Sequence, residues 1–182
     1  MRLFLAYAFD DETKECLIEM QNALKGSLLK GHLTRPEHLH LTVLFLGELA
    51  GHQVDELIEE LDLVLTQTAP FTCTIGDLGA FKRGKEAILF ARVLEGSSAF
   101  KALNQRLKDH LSGLGIEYPK QPYTPHVTLA RRVFFQDTPQ SHRLGHHAMH
   151  VRVNTITLYH SYRHHNQLIH ELLAQFTLGP SQ

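Results

Sequence analysis

Two short segments of this sequence pair a histidine with a threonine two positions later. His40 and Thr42 lie in HLHLTVLFLG, and His126 and Thr128 lie in TPHVTLARR, nearly half the chain further on. Histidine titrates near neutral pH, so it can either take up or give away a proton there. Threonine hydroxyls can donate hydrogen bonds to phosphate oxygens. The paired segments therefore suit acid/base chemistry on a phosphate ester.

Each segment falls in an apolar run that predicts a β-strand, over residues 38–46 and 126–135. Side chains two positions apart on a strand point to the same face, so each histidine shares a face with its threonine. A single His-x-Thr triplet is weak evidence, because a lone strand histidine is usually structural. Two copies in matching contexts predict two related halves that present their histidines to one cleft.

In such a cleft, one imidazole takes a proton from water while the other gives one to the leaving oxygen of a cyclic phosphate. Each transfer is typically worth about 10²–10⁴-fold in rate, and the scheme needs no metal or other cofactor. Charge on the phosphate oxygens needs a cation, and Arg131 and Arg132 are both candidates. Strict alternation places Arg132 on the face of His126, whereas Arg131 requires a bulge or a strand end.

The other elements are an irregular succession of strands and helices. Strands are predicted over residues 2–8, 71–81, 86–94, 151–159 and 168–178, and helices over 11–29, 53–66 and 97–114. Residues 82–85 predict a hairpin turn, while 30–37 and 136–149 are predicted as loops. Because strands and helices do not strictly alternate, the pattern favours an α+β fold with an antiparallel sheet.

The composition is that of an ordinary globular protein, with 43% hydrophobic and 20% charged residues among 182. A net charge of −1 provides no general field for nucleic acid, so any contact with a nucleic acid should be local, at an end. The N-terminus turns acidic at Asp10 and is too short for a signal peptide or a membrane span, so we expect a cytoplasmic protein. Cys16 and Cys73 are expected to be free, buried or half-buried thiols.

Aromatic and histidine side chains supply further candidates. Phe45, Phe81 and Tyr123 are candidates for stacking a terminal base, although alternation places Phe45 with Leu41 and Val43 and therefore favours core or rim packing for it. The sequence has 14 histidines, and many come late in the chain. The late ones are His142, His146, His147, His150, His160, His164, His165 and His170. Without HExxH or Cys-His spacing, they predict solvated side chains rather than a zinc site.

The chain resembles the two-histidine (2H) phosphoesterase superfamily, and within it the bacterial and archaeal RNA 2′,3′-cyclic phosphodiesterases, historically called 2′-5′ RNA ligases. The resemblance extends over RLFLAYAFDDE, RPEHLHLTVLFLGEL, LGAFKRGKEAILFARV, PYTPHVTLARR, LYHSYR and LLAQFTL. It implies two pseudo-symmetric lobes of antiparallel sheet, with helices packed outside, around a central cleft. Residues 1–182 are then a single bilobal domain, which we expect to be a monomer.

The resemblance also implies residue roles. His40 matches the proton donor to the leaving oxygen and His126 the proton acceptor from water. Thr42, Thr128 and Arg131 match the phosphate-binding residues, and the expected product is a 2′-phosphate on RNA or a nucleotide. The same site is expected to join or cleave 2′-5′ linkages weakly, without a nucleotide cofactor.

Two other functions stay open from the sequence. The domain can be a nucleotide-binding module that retains the cleft without turnover, although two intact motifs favour catalysis. It can also be a phosphodiesterase for another cyclic or 2′-5′-linked nucleotide, because substrate choice depends on loops that the sequence does not place.

Overall fold

A computed structural model describes residues 1–24, 30–119, 121–134 and 148–179. These residues include three helices: α1 (Asp11–Leu24), α2 (Val54–Leu65) and α3 (Ser97–His110). The strands are β1 (Arg2–Ala8), β2 (Lys30–Leu33), β3 (His40–Glu48), β4 (Phe71–Arg83), β5 (Glu86–Glu95), β6 (His126–Phe134), β7 (Met149–Val153), β8 (Thr155–His164) and β9 (Gln167–Thr177).

The strands form a single antiparallel sheet, in the order β7-β4-β5-β6-β3-β1-β8-β9, with β2 also paired to β6. The two histidine-threonine strands, β3 and β6, are the central neighbours, and they meet through the pair Leu41 and Val127. Along this order four strands lie on each side of the boundary between β6 and β3, and β2 is the ninth strand. The prediction of an α+β fold with antiparallel sheet is confirmed.

The helices bury apolar stripes against the sheet. Helix α1 packs on β6 and β7, whereas α3 packs on β3 and β5, and α2 on α3 and β9. Asp10 caps α1, because the Thr13 amide donates to Asp10 Oδ1 at 2.8 Å, and hydrogen bonds with Thr13 lower the pKa of Asp10. Before α3, Gly96 adopts a φ of 79°, and a Cβ there would overlap the Thr72 carbonyl.

Several element boundaries differ from those predicted. Residues 30–33 form strand β2 rather than a loop, and the predicted strand over 151–159 is two strands divided at Asn154. The division is needed because β7 pairs with β4 on one side of the sheet, whereas β8 pairs with β1 on the other. The predicted hairpin at 82–85 is confirmed by the pairing of Arg83 with Glu86.

Some sequence predictions fall outside the described residues, namely the end of the first helix over 25–29 and most of the loop over 136–149. Cys16 is half-buried and Cys73 buried, and both are free thiols as predicted. Among the helices that the structure describes, none has the length and apolar character to cross a membrane.

Candidate active site

One cavity of about 740 Å³ is lined by residues from both halves of the sheet. Its volume is within the range of roughly 300–1,000 Å³ that is typical of small-molecule sites. All seven residues predicted for the site line it: His40, Thr42, Phe81, Tyr123, His126, Thr128 and Arg131. The structure thus brings the two motifs together at one cleft.

His126 is held in a defined tautomer. Its Nδ1 lies 2.7 Å from the Thr124 carbonyl oxygen. Since a carbonyl only accepts, Nδ1 carries the hydrogen, and in the neutral ring Nε2 keeps a free lone pair. Burial lowers the pKa of His126 below its usual value, with a smaller contribution from the charge of Arg131. A neutral ring with an unprotonated Nε2 is the form that a general base requires.

His40 is the more deeply buried of the two rings. Burial, aided by the nearby His170, His38 and Arg131, lowers its pKa to about 3, although a hydrogen bond to the backbone of His38 opposes this. His40 Nε2 lies 3.2 Å from Thr42 Oγ1, as expected for residues that share a strand face. Both imidazoles are therefore neutral in the free protein near pH 7.

A β-bulge follows the first motif. Leu5 of β1 pairs with Leu44, but its neighbour Ala6 pairs with Thr42, so Val43 is an extra residue in β3. Val43 and Leu44 are consecutive and both buried, which regular alternation does not allow. The bulge therefore shifts the side-chain alternation of β3 by one position beyond Thr42.

The second motif has the same feature. Leu89 of β5 pairs with Ala130, but Phe90 pairs with Thr128, so Leu129 is an extra residue in β6. Leu129 and Ala130 are again consecutive and fully buried. The two motif strands therefore carry a bulge at the same position, directly after the threonine.

The two bulges determine which side chains face the cleft after each motif threonine. Beyond the bulge of β6, Arg131 lines the cavity, whereas Arg132, with a φ of 52°, is absent from the lining. Beyond the bulge of β3, Phe45 lines the cavity and is 51% exposed. Core packing of Phe45 was therefore the wrong alternative, because it assumed unbroken alternation.

The two aromatic candidates occupy different positions. Phe81 stacks on Phe90 with ring centroids 4.2 Å apart and approaches His126 edge-on at 5.1 Å. A Cβ at Gly79 would overlap the Phe90 ring, so a glycine there makes room for this stack. Tyr123 donates its hydroxyl to the Thr42 carbonyl at 2.8 Å, which ties the loop before β6 to β3, and burial raises its pKa.

The prediction that the late histidines are solvated was wrong for His170 of β9, which lines the cleft. Its ring packs edge-on against His40 at 5.5 Å and lies 4.5 Å from His38. Its Nδ1 is buried without a hydrogen-bond partner among the described residues, and burial lowers its pKa to about 4. The sequence could not indicate this position, because β9 is brought to the cleft by the order of the strands, through its pairing with β8.

The other late histidines are dispersed. His150 Nδ1 contacts Thr74 Oγ1 at 3.1 Å, His160 lies 3.5 Å from a carboxylate oxygen of Glu171, and the sequence neighbours His164 and His165 are exposed at a hairpin tip. The positions 142, 146 and 147 lie outside the described residues. Within the part of the chain that is described, no group of three or more His, Cys, Asp or Glu side chains is placed to hold a metal ion.

Comparison with known proteins identifies the family. The model of the 2′-5′ RNA ligase superfamily matches residues 18–165, and the chain belongs to this superfamily. Its relatives include an RNA 2′,3′-cyclic phosphodiesterase of Thermotoga maritima, 27% identical over 137 residues, which are 75% of this chain and 73% of that protein. A protein of the same name from Archaeoglobus fulgidus is 32% identical over 133 residues, which are 72% of each chain.

Solved structures share the fold. The protein TT0787 of Thermus thermophilus superposes with a TM-score of 0.84 at 24% identity, over 100% of both chains. E. coli LigT complexed with 3′-AMP superposes with a TM-score of 0.83 at 22% identity, over 97% of both chains. At these identities the likeness establishes the architecture, a curled antiparallel sheet with helices packed on it.

Proposed function

We propose that this protein hydrolyses 2′,3′-cyclic phosphate ends of RNA or nucleotides to 2′-phosphates, with His40 as the acid and His126 as the base. The observation that carries the proposal is that one imidazole from each half of the sheet lines the same cavity, beside a threonine and near Arg131. The relatives in Thermotoga maritima and Archaeoglobus fulgidus bear the name of this activity.

The proposed reaction starts at His126. A water molecule attacks phosphorus while Nε2 of His126, whose lone pair is left free by the bond from Nδ1 to Thr124, removes its proton. The bond between phosphorus and the 3′ oxygen breaks, and a 2′-phosphate remains. The protonated His126 then returns its proton to solvent.

His40 supplies the second proton, to the departing 3′ oxygen. With a pKa of about 3, its ring is neutral in the free protein at neutral pH, so it needs a partner that favours its charged form. The phosphate anion is that partner, because a negative charge within a few ångström raises the pKa of an imidazole. Substrate binding thus prepares the acid.

Three further side chains are proposed to bind the phosphate. Thr42 and Thr128 share the cavity face of their histidines and offer hydroxyl donors, and Arg131 offers a cation. Replacing the attacking water by a ribose 5′-hydroxyl forms a 2′-5′ linkage with the same proton transfers, and the reverse step, in which the 3′-hydroxyl attacks and the 5′ oxygen leaves, cleaves it. This accounts for weak, reversible ligation without a nucleotide cofactor as a secondary activity.

Turnover of a short RNA with a 2′,3′-cyclic phosphate, in the presence of a chelator, tests the proposal. We expect conversion to the 2′-phosphate, identified by ³¹P NMR against both monophosphate standards. The 3′-phosphate as product, or a requirement for added zinc, would overturn the proposed mechanism. Tight binding of the cyclic end without turnover would favour a nucleotide-binding module, and turnover of other cyclic or 2′-5′-linked nucleotides alone would change the substrate.

We further propose that residues 1–182 act as one bilobal, monomeric unit in the cytoplasm. Support comes from a single sheet that joins both halves and from two free thiols, Cys16 and Cys73, which suit a reducing compartment. Light scattering coupled to size exclusion should give the mass of one chain, and a fluorescent fusion should distribute with cytoplasmic markers.

A further inference from the structure

Two side-chain amides on helices are buried among mainly apolar side chains. Gln21 of α1 and Asn104 of α3 are each only 4% exposed. Their buried neighbours on the same helices include Leu17, Met20 and Leu24 for Gln21, and Phe100, Leu103 and Leu107 for Asn104. A buried amide is costly unless it is hydrogen-bonded, so the partners of these two side chains indicate what they do.

Both amides donate to the bulged residue of a motif strand. Asn104 Nδ2 donates to the Val43 carbonyl at 2.7 Å, and Gln21 Nε2 donates to the Leu129 carbonyl at 2.8 Å. Gln21 Nε2 also lies 2.8 Å from the Thr34 carbonyl, and the Thr34 amide donates to the Leu129 carbonyl at 2.9 Å. Each bulged acceptor is the residue directly after the motif threonine.

A bulge is a position where register is easily lost. If the extra residue were absorbed into regular pairing, every side chain on one side of it would move to the opposite face. A side-chain amide that binds the carbonyl of the bulged residue opposes this change, since a regular strand would orient that carbonyl differently. The hydrogen bonds from Gln21 and Asn104 therefore stabilise the backbone that orients the histidine before each bulge.

We propose that Gln21 and Asn104 are positioning residues, one for each half of the active site. Gln21 fixes the strand that carries His126, and Asn104 fixes the strand that carries His40. Each helix bonds the motif strand that does not follow it directly in the sequence. Helix α1 precedes the His40 motif but bonds the strand of His126, and α3 precedes the His126 motif but bonds the strand of His40. The inference rests on the proposed function only for its kinetic consequences, because the orientation of the rings can be measured without substrate.

The test replaces each amide by an apolar side chain of similar size, as Gln21→Met and Asn104→Leu. Since a misplacement of about 1 Å can cost on the order of 100-fold in rate, we expect kcat to fall about 10- to 100-fold while KM changes less than about threefold. Asn104 also lines the cavity, so a large rise in KM for its variant would show direct substrate contact and would overturn the positioning role.

Ring resonances separate positioning from general destabilisation. In long-range ¹H–¹⁵N spectra of the protein with inorganic phosphate, Gln21→Met should shift the His126 ring and leave His40 nearly unchanged. Asn104→Leu should do the reverse. The matched controls are Met20→Ala and Leu103→Ala, which remove buried neighbours on the same helices and should lower Tm without moving either ring or lowering kcat more than about twofold.

Three outcomes would overturn the inference: both rings unmoved, the wrong ring moved, or losses of kcat that follow the loss of Tm as in the controls. If Gln21→Met does not fold, Gln21→Asn replaces it, because its amide is one methylene too short to bond both carbonyls. Asn104→Gln, which keeps the donor, should retain more activity than Asn104→Leu. Inactivity of the unmodified protein would contradict the proposed function, whereas the ring shifts would still decide this inference.

Discussion

Replacing Arg131 should damage catalysis far more than replacing its neighbour Arg132. The two arginines are adjacent, but the bulge at Leu129 turns Arg131 into the cavity, and Arg132 is not among the residues that line it. Both side chains are exposed, so Arg131→Met and Arg132→Met are matched in size, charge change and expected effect on folding.

The magnitude follows from one charge-assisted contact. A hydrogen bond between charged partners contributes about 1.5–3 kcal/mol, and about 1.4 kcal/mol corresponds to a tenfold change in rate. Because Arg131 is exposed to solvent, we expect kcat/KM of Arg131→Met to fall about 10- to 100-fold, and that of Arg132→Met less than about threefold. Arg131→Lys should recover part of the loss, since lysine restores the charge but not two-pronged binding.

A second consequence identifies the cause of the loss. The charge of Arg131 helps to lower the pKa of both His40 and His126. In Arg131→Met the pKa of each ring, followed by NMR titration, should therefore rise, and it should not rise in Arg132→Met. Equal losses of kcat/KM for the two variants, or a larger loss for Arg132→Met, would refute the reasoning from the bulge.

Three further predictions concern titration and the tie between the halves. The pKa values of His40 and His126 are both lowered in the free protein, so the fall of kcat/KM with rising pH should begin below the usual histidine value of about 6.5. The fall of kcat should lie at higher pH, since we expect bound phosphate to raise both pKa values. Identical positions of the two falls would contradict this. His40 and His170 are buried as neutral rings, so the free energy of unfolding should fall as the pH drops below about 6.5, the pKa of histidine in the unfolded chain, until the folded pKa of about 3 for His40 or about 4 for His170 is passed. In denaturant titrations between pH 7 and 4.5, His170→Phe should lower the slope of the free energy of unfolding against pH by at most about 1.4 kcal/mol per pH unit. An unchanged slope would contradict this prediction. Tyr123→Phe removes the hydroxyl that bonds Thr42 and should lower the free energy of unfolding by about 1 kcal/mol, whereas a stability equal to that of the unmodified protein would show that the bond contributes nothing.

That the histidine and the threonine of each motif share one face of their strand was predictable, because side chains alternate along a strand and this alone puts His40 and Thr42 on the same face. The position of Phe45 was not predictable, since a bulge results from pairing with β1 and has no composition of its own. For the same reason, alternation alone pointed to Arg132, and the resemblance to the family was needed to favour Arg131. His170 was missed because only the order of strands brings β9 beside the cleft.

The central claim is that two imidazoles, one from each half, act together on a single phosphorus atom. Its most direct test is the kcat of His40→Asn, His126→Asn and the double variant on one cyclic-phosphate substrate. Each single variant should lose on the order of 100-fold or more, and the double variant should be nearly as active as the weaker single, because residues that act as a unit are not additive. Full activity in either single variant would contradict the account.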